Sequence, residues 1–238
     1  MAEYIQKDHH GVYRAVPLLE LPWLEHGFGT RLSAAWNQQQ DLASLHQIHS
    51  DICLYVTGGS GRVGEGDALM TDVPGVRVGV RTADCIPILL VDPRSRAVAA
   101  VHAGWRGTAQ DICSKTVVAM RRQFGSRPED LLAAVGPGIG PCCYQVGAEV
   151  AVGFQDIFPE RDDLDQPAHL DLPEANQRNL LLAGLRRNHV WVARLCTFCS
   201  GEEFFSWRRE RSQAGRMVSA IGIKEMQKGA GGVPAPLL

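Results

Sequence analysis

Short runs of apolar residues, some alternating and some continuous, mark the middle of the chain. Val76–Val80 alternates, Ile86–Val91 is continuously apolar, and Ala97–Val101 follows the turn-forming residues 92–95. Runs of this length, bounded by turn residues, are typical of β-strands. The pattern predicts three strands, of which the last two form a hairpin.

Apolar residues at helical spacing predict two helices. The spacing runs from Gly107 to Phe124, where Gly125 is the residue type expected to end a helix, and recurs over Pro173–Arg187. Further strands are predicted at Leu131–Val135, Val190–Leu195, Phe204–Trp207 and Arg216–Ile223. Because strands and helices mix without a strict β-α-β rhythm, we expect an α+β fold.

No break in composition divides the chain, so we expect a single domain over residues 1–238. Glycine and proline dominate the last stretch, about 228–238, which we interpret as a flexible tail.

Charge and composition narrow the function classes. The 238 residues are 45% hydrophobic and 21% charged, with a formal net charge of −2. This balance gives no general attraction to nucleic acid or anionic membranes, so any anion site must be local. We find neither a signal peptide nor a membrane span, and seven cysteines without a dense framework suggest reduced thiols, so a cytoplasmic protein is expected.

The predicted hairpin carries the first candidate chemistry. If residues 92–95 form its turn, opposed positions sum to 187 and Cys85 faces His102. Opposed side chains have Cβ atoms about 4.5–5.5 Å apart, so this pair could chelate a metal or act as nucleophile and base. A buried cysteine beside a satisfied histidine is the structural alternative.

Two other groups could supply metal ligands. His46 and His49 are equal candidates from the residues alone, and two surface histidines are as plausible an interpretation. Cys196 and Cys199 form a CxxC without a second pair, which we interpret as packed thiols at a strand end.

Glycine-containing loops and arginines could form an anion pocket. Arg106 precedes a helix start that Thr108 could cap. The loop 136–144 lacks a nucleotide P-loop pattern and could form a pocket wall, with Tyr144 free to stack or hydrogen bond. Arg208, Arg209 and Arg216 lie near aromatic residues, where they could hold a base or phosphate or form surface salt bridges.

Five groups of short segments occur in order along the chain: Gly66-Asp67-Ala68-Leu69 with Thr71, Thr82-Ala83-Asp84-Cys85-Ile86-Pro87, Val101-His102-Ala103-Gly104-Trp105-Arg106-Gly107, Gly136-Pro137-Gly138-Ile139-Gly140, and Phe205-Ser206-Trp207-Arg208-Arg209 with Gly215-Arg216. Taken together, these segments resemble the YfiH/laccase-domain family, also called multicopper polyphenol oxidoreductase-like proteins, over most of residues 26–224.

The resemblance implies a four-layer α/β/β/α sandwich with mixed sheets, a cytoplasmic location, and a Zn²⁺ held by His49, Cys85 and His102. It thereby selects His49 over His46. Three protein ligands leave one tetrahedral position open, as in catalytic zinc sites.

The implied activity is phosphorolysis of adenosine, inosine and methylthioadenosine together with adenosine deamination. The alternatives are a Cu²⁺-dependent polyphenol oxidase, a Cys-His hydrolase in peptidoglycan precursor editing, and a non-enzymatic protein scaffolded by zinc. Copper oxidation of the laccase type requires a trinuclear cluster with many histidines, and this chain has only eight. The expected partners are a purine nucleoside and phosphate, without nucleic acid or membrane, in a monomer or small homo-oligomer.

Within that interpretation, Asp84 is the candidate general acid or base, with orientation of His102 or a turn cap as its alternative. Arg31, Arg106 and Arg208 are candidates for holding phosphate. The family usually carries a much longer segment where only Leu32–His46 lies here, so we expect a more open pocket. Gln145 stands where family members commonly carry an acidic residue.

Overall fold

The structure is a computed structural model that describes residues 4–38 and 41–225. The tail expected at 228–238 lies outside these residues. In chain order, the strands are β1 (Ile5–Lys7), β2 (Tyr13–Ala15), β3 (Leu24–Phe28), β4 (Leu42–His46), β5 (Cys53–Tyr55), β6 (Gly61–Glu65), β7 (Ala68–Thr71), β8 (Arg77–Thr82), β9 (Ile86–Asp92), β10 (Ala97–Ala103), β11 (Leu132–Val135), β12 (Gln145–Val146), β13 (Ala168–His169), β14 (Val190–Val192) and β15 (Met217–Ile223). The α-helices are α1 (Ala34–Asn37), α2 (Trp105–Ala109), α3 (Ile112–Phe124), α4 (Ala148–Ala151), α5 (Leu172–Leu182) and α6 (Trp207–Glu210). Short 3₁₀ turns occur at Val16–Glu20, Pro128–Asp130, Val152–Phe154, Arg187–His189 and Arg211–Gln213.

Two large mixed sheets face each other. The first has the order β1-β2-β3-β15-β8-β4-β6 and the second the order β14-β11-β9-β10-β7-β5, while β12 and β13 form a small separate pair. Alternate residues of β9 point to opposite sides: Leu89 and Val91 enter the core between the sheets, whereas Ile88 and Leu90 enter the core beneath the helices. Both faces of β9 are therefore buried, which explains its continuous apolar sequence.

Helices α3 and α5 cover the outer face of the second sheet. Ile112, Val117 and Met120 of α3 lie in the same buried cluster as Leu180 of α5. On the outer face of the first sheet, Trp36 of α1 packs in a smaller cluster. The fold is therefore α+β with the expected α/β/β/α layers, although the fourth layer is thin.

The helix predicted over 107–124 is two helices. Asp111 adopts a left-handed conformation (φ 59°), and its side chain accepts a hydrogen bond from the Ser114 amide. Asp111 thus caps the longer helix, whereas Thr108 lies inside α2. The second helix ends at Leu182 rather than Arg187, just before Gly184 (φ 103°).

The strand predicted at Phe204–Trp207 is wrong. Ser206 accepts a hydrogen bond from the Arg209 amide and caps α6, so the chain turns into a helix at Trp207. The strand predicted at 190–195 is also shorter, ending at Val192. No helix within the described residues combines the length and apolar character needed to cross a lipid bilayer.

Candidate functional site

Three segments from different parts of the fold meet at one point. His49 lies in the connection from β4 to β5, Cys85 in the connection from β8 to β9, and His102 near the end of β10. One donor atom from each residue lies within 4.8 Å of the other two, and the Cys85 sulfur is 4.0 Å from Nε2 of His49. We call this group the His-Cys-His triad. Its atoms are close enough to share a single metal ion.

The hairpin register differs by two residues from the expected one. Opposed residues sum to 189, so His102 faces Pro87 and the four-residue turn is 93–96. The reason lies at Asp92, whose side chain accepts hydrogen bonds from the Arg94 and Ser95 amides and makes Asp92 the last residue of the strand. Because side chains alternate with a period of two, the shift keeps positions 85 and 102 on one face.

Asp67 organises the triad from behind. One carboxylate oxygen lies 2.7 Å from Nδ1 of His102 and accepts the His49 amide at 3.1 Å, and the other accepts the amide and hydroxyl of Ser50 at 2.6 and 2.7 Å. The Asp67 side chain is completely buried. A carboxylate at Nδ1 fixes the ring and leaves the lone pair of Nε2 available to a metal, which is the usual arrangement behind a metal-binding histidine.

Gly104 makes room for the triad. A Cβ atom at this position would lie 2.9 Å from Cδ2 of His49 and 3.1 Å from the Cys85 sulfur. Both distances are shorter than ordinary van der Waals contact. Only glycine lets the start of α2 approach the two side chains this closely.

The surroundings favour a charged thiolate and imidazolium. Burial opposes ionisation of Cys85, but the charge of His102 and hydrogen bonds from both histidines lower the pKa of the thiol to about 6. Burial likewise opposes a charged His102, yet the Cys85 thiolate and the hydrogen bond to Asp67 raise its pKa. A thiolate is the form that acts as a nucleophile or a metal ligand.

The triad lies in a cleft of about 790 Å³ that combines positive charge with aromatic surface. Its aromatic side chains are Trp105, Tyr144 and Trp207. Its arginines are Arg62, Arg81, Arg106, Arg208, Arg211 and Arg216. The cleft therefore concentrates positive charge that the overall charge of the chain does not show.

Of the other candidate residues, Arg106, Tyr144 and Arg208 line this cleft. The Arg208 guanidinium stacks over the Tyr144 ring at 5.2 Å, and that of Arg106 over the Trp105 ring at 4.4 Å. Burial, with the nearby Cys85 charge, raises the pKa of Tyr144 to about 12, so its hydroxyl keeps its proton.

Arg31 lies elsewhere and is not among the residues that line the cleft. Its guanidinium stacks over Phe205 at 4.6 Å, donates to the Gly201 carbonyl and pairs with Glu210 at 3.3 Å. These contacts tie the segment after β3 to the region around α6.

Asp84 borders the cleft in a strained conformation (φ 88°). One carboxylate oxygen accepts the Thr197 hydroxyl at 2.7 Å, and the other accepts the Arg208 amide at 2.6 Å. The side chain therefore holds the start of α6, and with it Arg208, against the wall that carries Cys85. It makes neither of its hydrogen bonds to His102.

The structure also distinguishes His46 from His49. His46 lines the cleft, but its ring faces Glu65 at 3.6 Å and it does not belong to the triad.

Sequence reasoning missed the part played by Asp67, and also the cleft-lining residues Arg62, Arg81 and Arg211. An aspartate next to a glycine at the start of a buried strand was the one local signal for Asp67.

Comparison of the sequence with known proteins identifies a family and several relatives. A family model described as multi-copper polyphenol oxidoreductase laccase matches residues 29–224. A purine nucleoside phosphorylase of Bacteroides thetaiotaomicron is 39% identical over 168 residues, which are 66% of this chain and 60% of the relative. An adenosine deaminase, RL5, from an unknown prokaryotic organism is 38% identical over 161 residues, covering 65% of this chain and 61% of the relative. The chain thus spans about three fifths of the length of these two curated relatives.

Solved structures agree with the sequence comparison. The crystal structure of YlmD from Geobacillus stearothermophilus superposes with a TM-score of 0.84 and 30% identity, covering 93% of this chain and 99% of that one. The crystal structure of YfiH from Bacillus licheniformis gives a TM-score of 0.83 at 27% identity, and the superposition covers 93% of this chain and 100% of that one. The chain belongs to the multi-copper polyphenol oxidoreductase laccase family, whose members include YfiH and YlmD.

Proposed function

We propose that the protein is a zinc-dependent enzyme of purine nucleosides, which cleaves adenosine, inosine and methylthioadenosine with phosphate and also deaminates adenosine. The observation that supports this most is the position of the His-Cys-His triad in a cleft lined by six arginines and three aromatic residues. Relatives named purine nucleoside phosphorylase and adenosine deaminase point to the same substrates.

The donor set fits Zn²⁺. One sulfur and two imidazole nitrogens are ligands that zinc prefers, and Asp67 provides the carboxylate that commonly supports such a histidine. Three protein ligands leave a fourth position for water or substrate. When bound, zinc would supply Lewis-acid polarisation and a water of lowered pKa.

The arginines and aromatic side chains would bind and orient the two substrates. Guanidinium groups suit phosphate because their donors match its oxygens. Arg106 stacks over Trp105 and Arg208 over Tyr144, so both guanidinium groups lie beside aromatic surface. Trp105 and Tyr144 offer flat surfaces for a purine. A protonated Tyr144 can donate a hydrogen bond to the substrate.

Both reactions need a proton for the leaving group. In deamination, a water oxygen bonds to C6 of the purine, the bond from C6 to the amino nitrogen breaks, and ammonia leaves. In phosphorolysis a phosphate oxygen bonds to C1′ of the ribose, the bond from C1′ to N9 breaks, and the purine leaves with the electron pair and needs a proton. Asp84 is our candidate for this proton transfer, because its carboxylate borders the cleft beside Cys85. Its two hydrogen bonds from Thr197 and the Arg208 amide keep it at that position.

Copper-dependent phenol oxidation is the second candidate, because two histidines and a cysteine also form the equatorial ligands of blue-copper sites. A laccase also needs a trinuclear cluster. The other six histidines are His9, His10, His26, His46, His169 and His189, and within the described residues none of them belongs to a metal-capable group. The donor set therefore favours zinc chemistry.

The test combines metal analysis with product analysis. Purified protein is incubated with adenosine and phosphate, and adenine, inosine, hypoxanthine, ribose-1-phosphate and ribose are separated by chromatography. We expect nucleoside turnover in zinc-loaded protein. The ratio of ribose-1-phosphate to ribose tests whether the short segment 32–46 leaves a pocket open enough for water to compete with phosphate.

Single substitutions assign the activity to the triad. His49→Ala, Cys85→Ala and His102→Ala should each remove turnover, whereas His46→Ala is the matched control that should keep most of it. Phenol oxidation that follows copper content would favour the oxidase. Zinc binding without any nucleoside product would favour a scaffold.

A further inference from the structure

Four cysteines meet on the surface beside the cleft. Cys142 and Cys143 follow the loop after β11, and Cys196 and Cys199 follow β14. The Cys199 sulfur lies 3.5 Å from that of Cys142 and 3.4 Å from that of Cys143. All four sulfurs lie within 4.8 Å of one another, and all four cysteines are free thiols.

This spacing matches a tetrahedral metal site. Zinc bonds to thiolate sulfur are about 2.3 Å long, which places the sulfurs of a four-cysteine site about 3.8 Å apart. We propose that Cys142, Cys143, Cys196 and Cys199 bind one Zn²⁺ as a structural site, separate from the His-Cys-His triad. The sequence interpretation of Cys196 and Cys199 as packed thiols assumed that no second cysteine pair lay nearby, and the fold supplies one.

The backbone holds the two cysteine pairs in place. Strands β11 and β14 are parallel, so the segments that follow them leave the sheet at the same edge. Gly138 and Cys196 continue this pairing as a bridge, and the Thr197 amide donates to the Gly138 carbonyl at 3.0 Å. These main-chain contacts bring together the two segments that carry the cysteines.

Local donors and space also suit a thiolate cluster. The Gly140 amide donates to the Cys196 sulfur at 3.2 Å, the type of hydrogen bond that stabilises a metal-bound thiolate. A Cβ at Gly140 would lie 3.3 Å from the Cβ of Cys196 and 3.5 Å from the Cys142 sulfur. A larger residue would crowd the cluster.

An arginine fixes the backbone between Cys196 and Cys199. The Arg209 guanidinium donates to the carbonyls of Thr197 and Phe198 at 2.9 and 2.6 Å, and these two residues separate the two cysteines. The same guanidinium pairs with Glu210 at 2.8 Å. Its contribution to the cluster is therefore to hold the Cys196–Cys199 segment in one conformation.

Such a site would fasten two walls of the cleft. Tyr144, which lines the cleft, directly follows Cys143. Thr197 lies between the other two cysteines and donates its hydroxyl to Asp84 at 2.7 Å. The four cysteines are not among the residues that line the cleft, so the bound zinc would act on its shape and not on the substrate.

The first experiment counts zinc in protein prepared under reducing conditions with zinc present. We expect about two zinc ions per chain in wild type. About one should remain in the double variant Cys196→Ser/Cys199→Ser, and about one in the single variant Cys85→Ser. Cys53→Ser is the matched control, because Cys53 belongs to neither group, and it should retain the wild-type content. If the triad binds no zinc, wild type would hold about one ion that is lost in the double variant but not in Cys85→Ser.

The second experiment does not depend on folding of the double variant. X-ray absorption of the zinc in Cys85→Ser should show four sulfur neighbours at about 2.3 Å. In wild type, alkylation followed by mass spectrometry should find the four cysteines protected until a chelator is added. Unchanged zinc content in the double variant, nitrogen or oxygen neighbours in place of sulfur, or a disulfide among these cysteines would overturn the proposal.

Discussion

Replacing Asp67 with asparagine should separate the orientation of the triad from its composition. The change keeps the size of the side chain and all three triad residues, but an NH₂ group, which can only donate, replaces one carboxylate oxygen. That group must face either His102 Nδ1–H or the donors of Ser50, since the carboxylate accepts from both. At least one buried donor then loses its acceptor.

The magnitude follows from the burial of this group. Each buried donor left without an acceptor costs about 1–3 kcal/mol, and breaking a buried charged pair costs about 3–5 kcal/mol. The Asp67 side chain is completely buried, so we expect Asp67→Asn to lower the free energy of unfolding by about 3–5 kcal/mol. Loss of a carboxylate behind a ligand histidine typically weakens metal binding about 10- to 100-fold.

The effect should also depend on pH. Burial opposes ionisation of Asp67, but the hydrogen bonds from His102 and Ser50 outweigh it and lower the pKa of the carboxyl from 3.8 to about 2. A carboxyl with a depressed pKa in the folded state stabilises the protein above its unfolded pKa. This shift corresponds to about 2.4 kcal/mol, so that part of the difference between wild type and Asp67→Asn should be present above pH 3.8 and be lost as the pH falls through 2.

The assays are urea unfolding across this pH range and chelator competition for zinc affinity. Asp72→Asn is the control, because the Asp72 carboxylate accepts one exposed hydrogen bond, from the Tyr55 hydroxyl at 2.8 Å, and its loss should change little. If Asp67→Asn matches wild type in both unfolding free energy and zinc affinity, the orienting role assigned to Asp67 is refuted.

Three other substitutions test separate parts of the structure. Burial and the charge of Arg14 lower the pKa of His26 from 6.5 to about 4, so the folded protein should lose about 3 kcal/mol of stability as the pH falls between these values. In His26→Gln, the unfolding free energy from urea titrations should depend less on pH over this range. An unchanged pH dependence would contradict the assignment to His26. Gly104→Ala should weaken zinc binding, because its Cβ would lie 2.9 and 3.1 Å from triad atoms, whereas Gly153→Ala, with its nearest neighbour at 4.0 Å, should bind zinc as wild type does. Asp84→Asn should lower kcat about 10²- to 10⁴-fold, whereas a change confined to the KM for phosphate would assign Asp84 to positioning alone.

Local patterns predicted the hairpin but not its register. The apolar runs identified β9 and β10, because both strands are buried on both faces. The turn depends on hydrogen bonds from the Asp92 side chain, which the apolar pattern does not contain. Since the error was an even number of residues, Cys85 and His102 stayed on one face. The expectation that their side chains lie close together was therefore right, although the predicted pairing was wrong.

Contacts between distant segments could not be obtained from local patterns. Residues alone left His46 and His49 equal, because the choice depends on how Asp67 draws in the loop after β4. The four cysteines depend on parallel pairing of β11 with β14, strands that lie more than fifty residues apart in sequence. The separation of Arg31 from the cleft likewise follows from its stacking on Phe205, which the sequence does not indicate.

The three triad residues are carried by segments of very different burial. Every residue of β9, β10 and β15 is buried, and each of these strands has a hydrogen-bonded neighbour on both sides. Their amides should be among the last to exchange with deuterated water, since exchange there requires opening of the central sheets. His102 lies on one of these slow strands, whereas His49 and Cys85 lie in connections that open more readily. An ion shared among them would slow amide exchange in the two connections towards the rate of β10, so deuterium uptake around residues 47–52 and 83–85 would report its arrival and loss while β10 itself stayed unchanged.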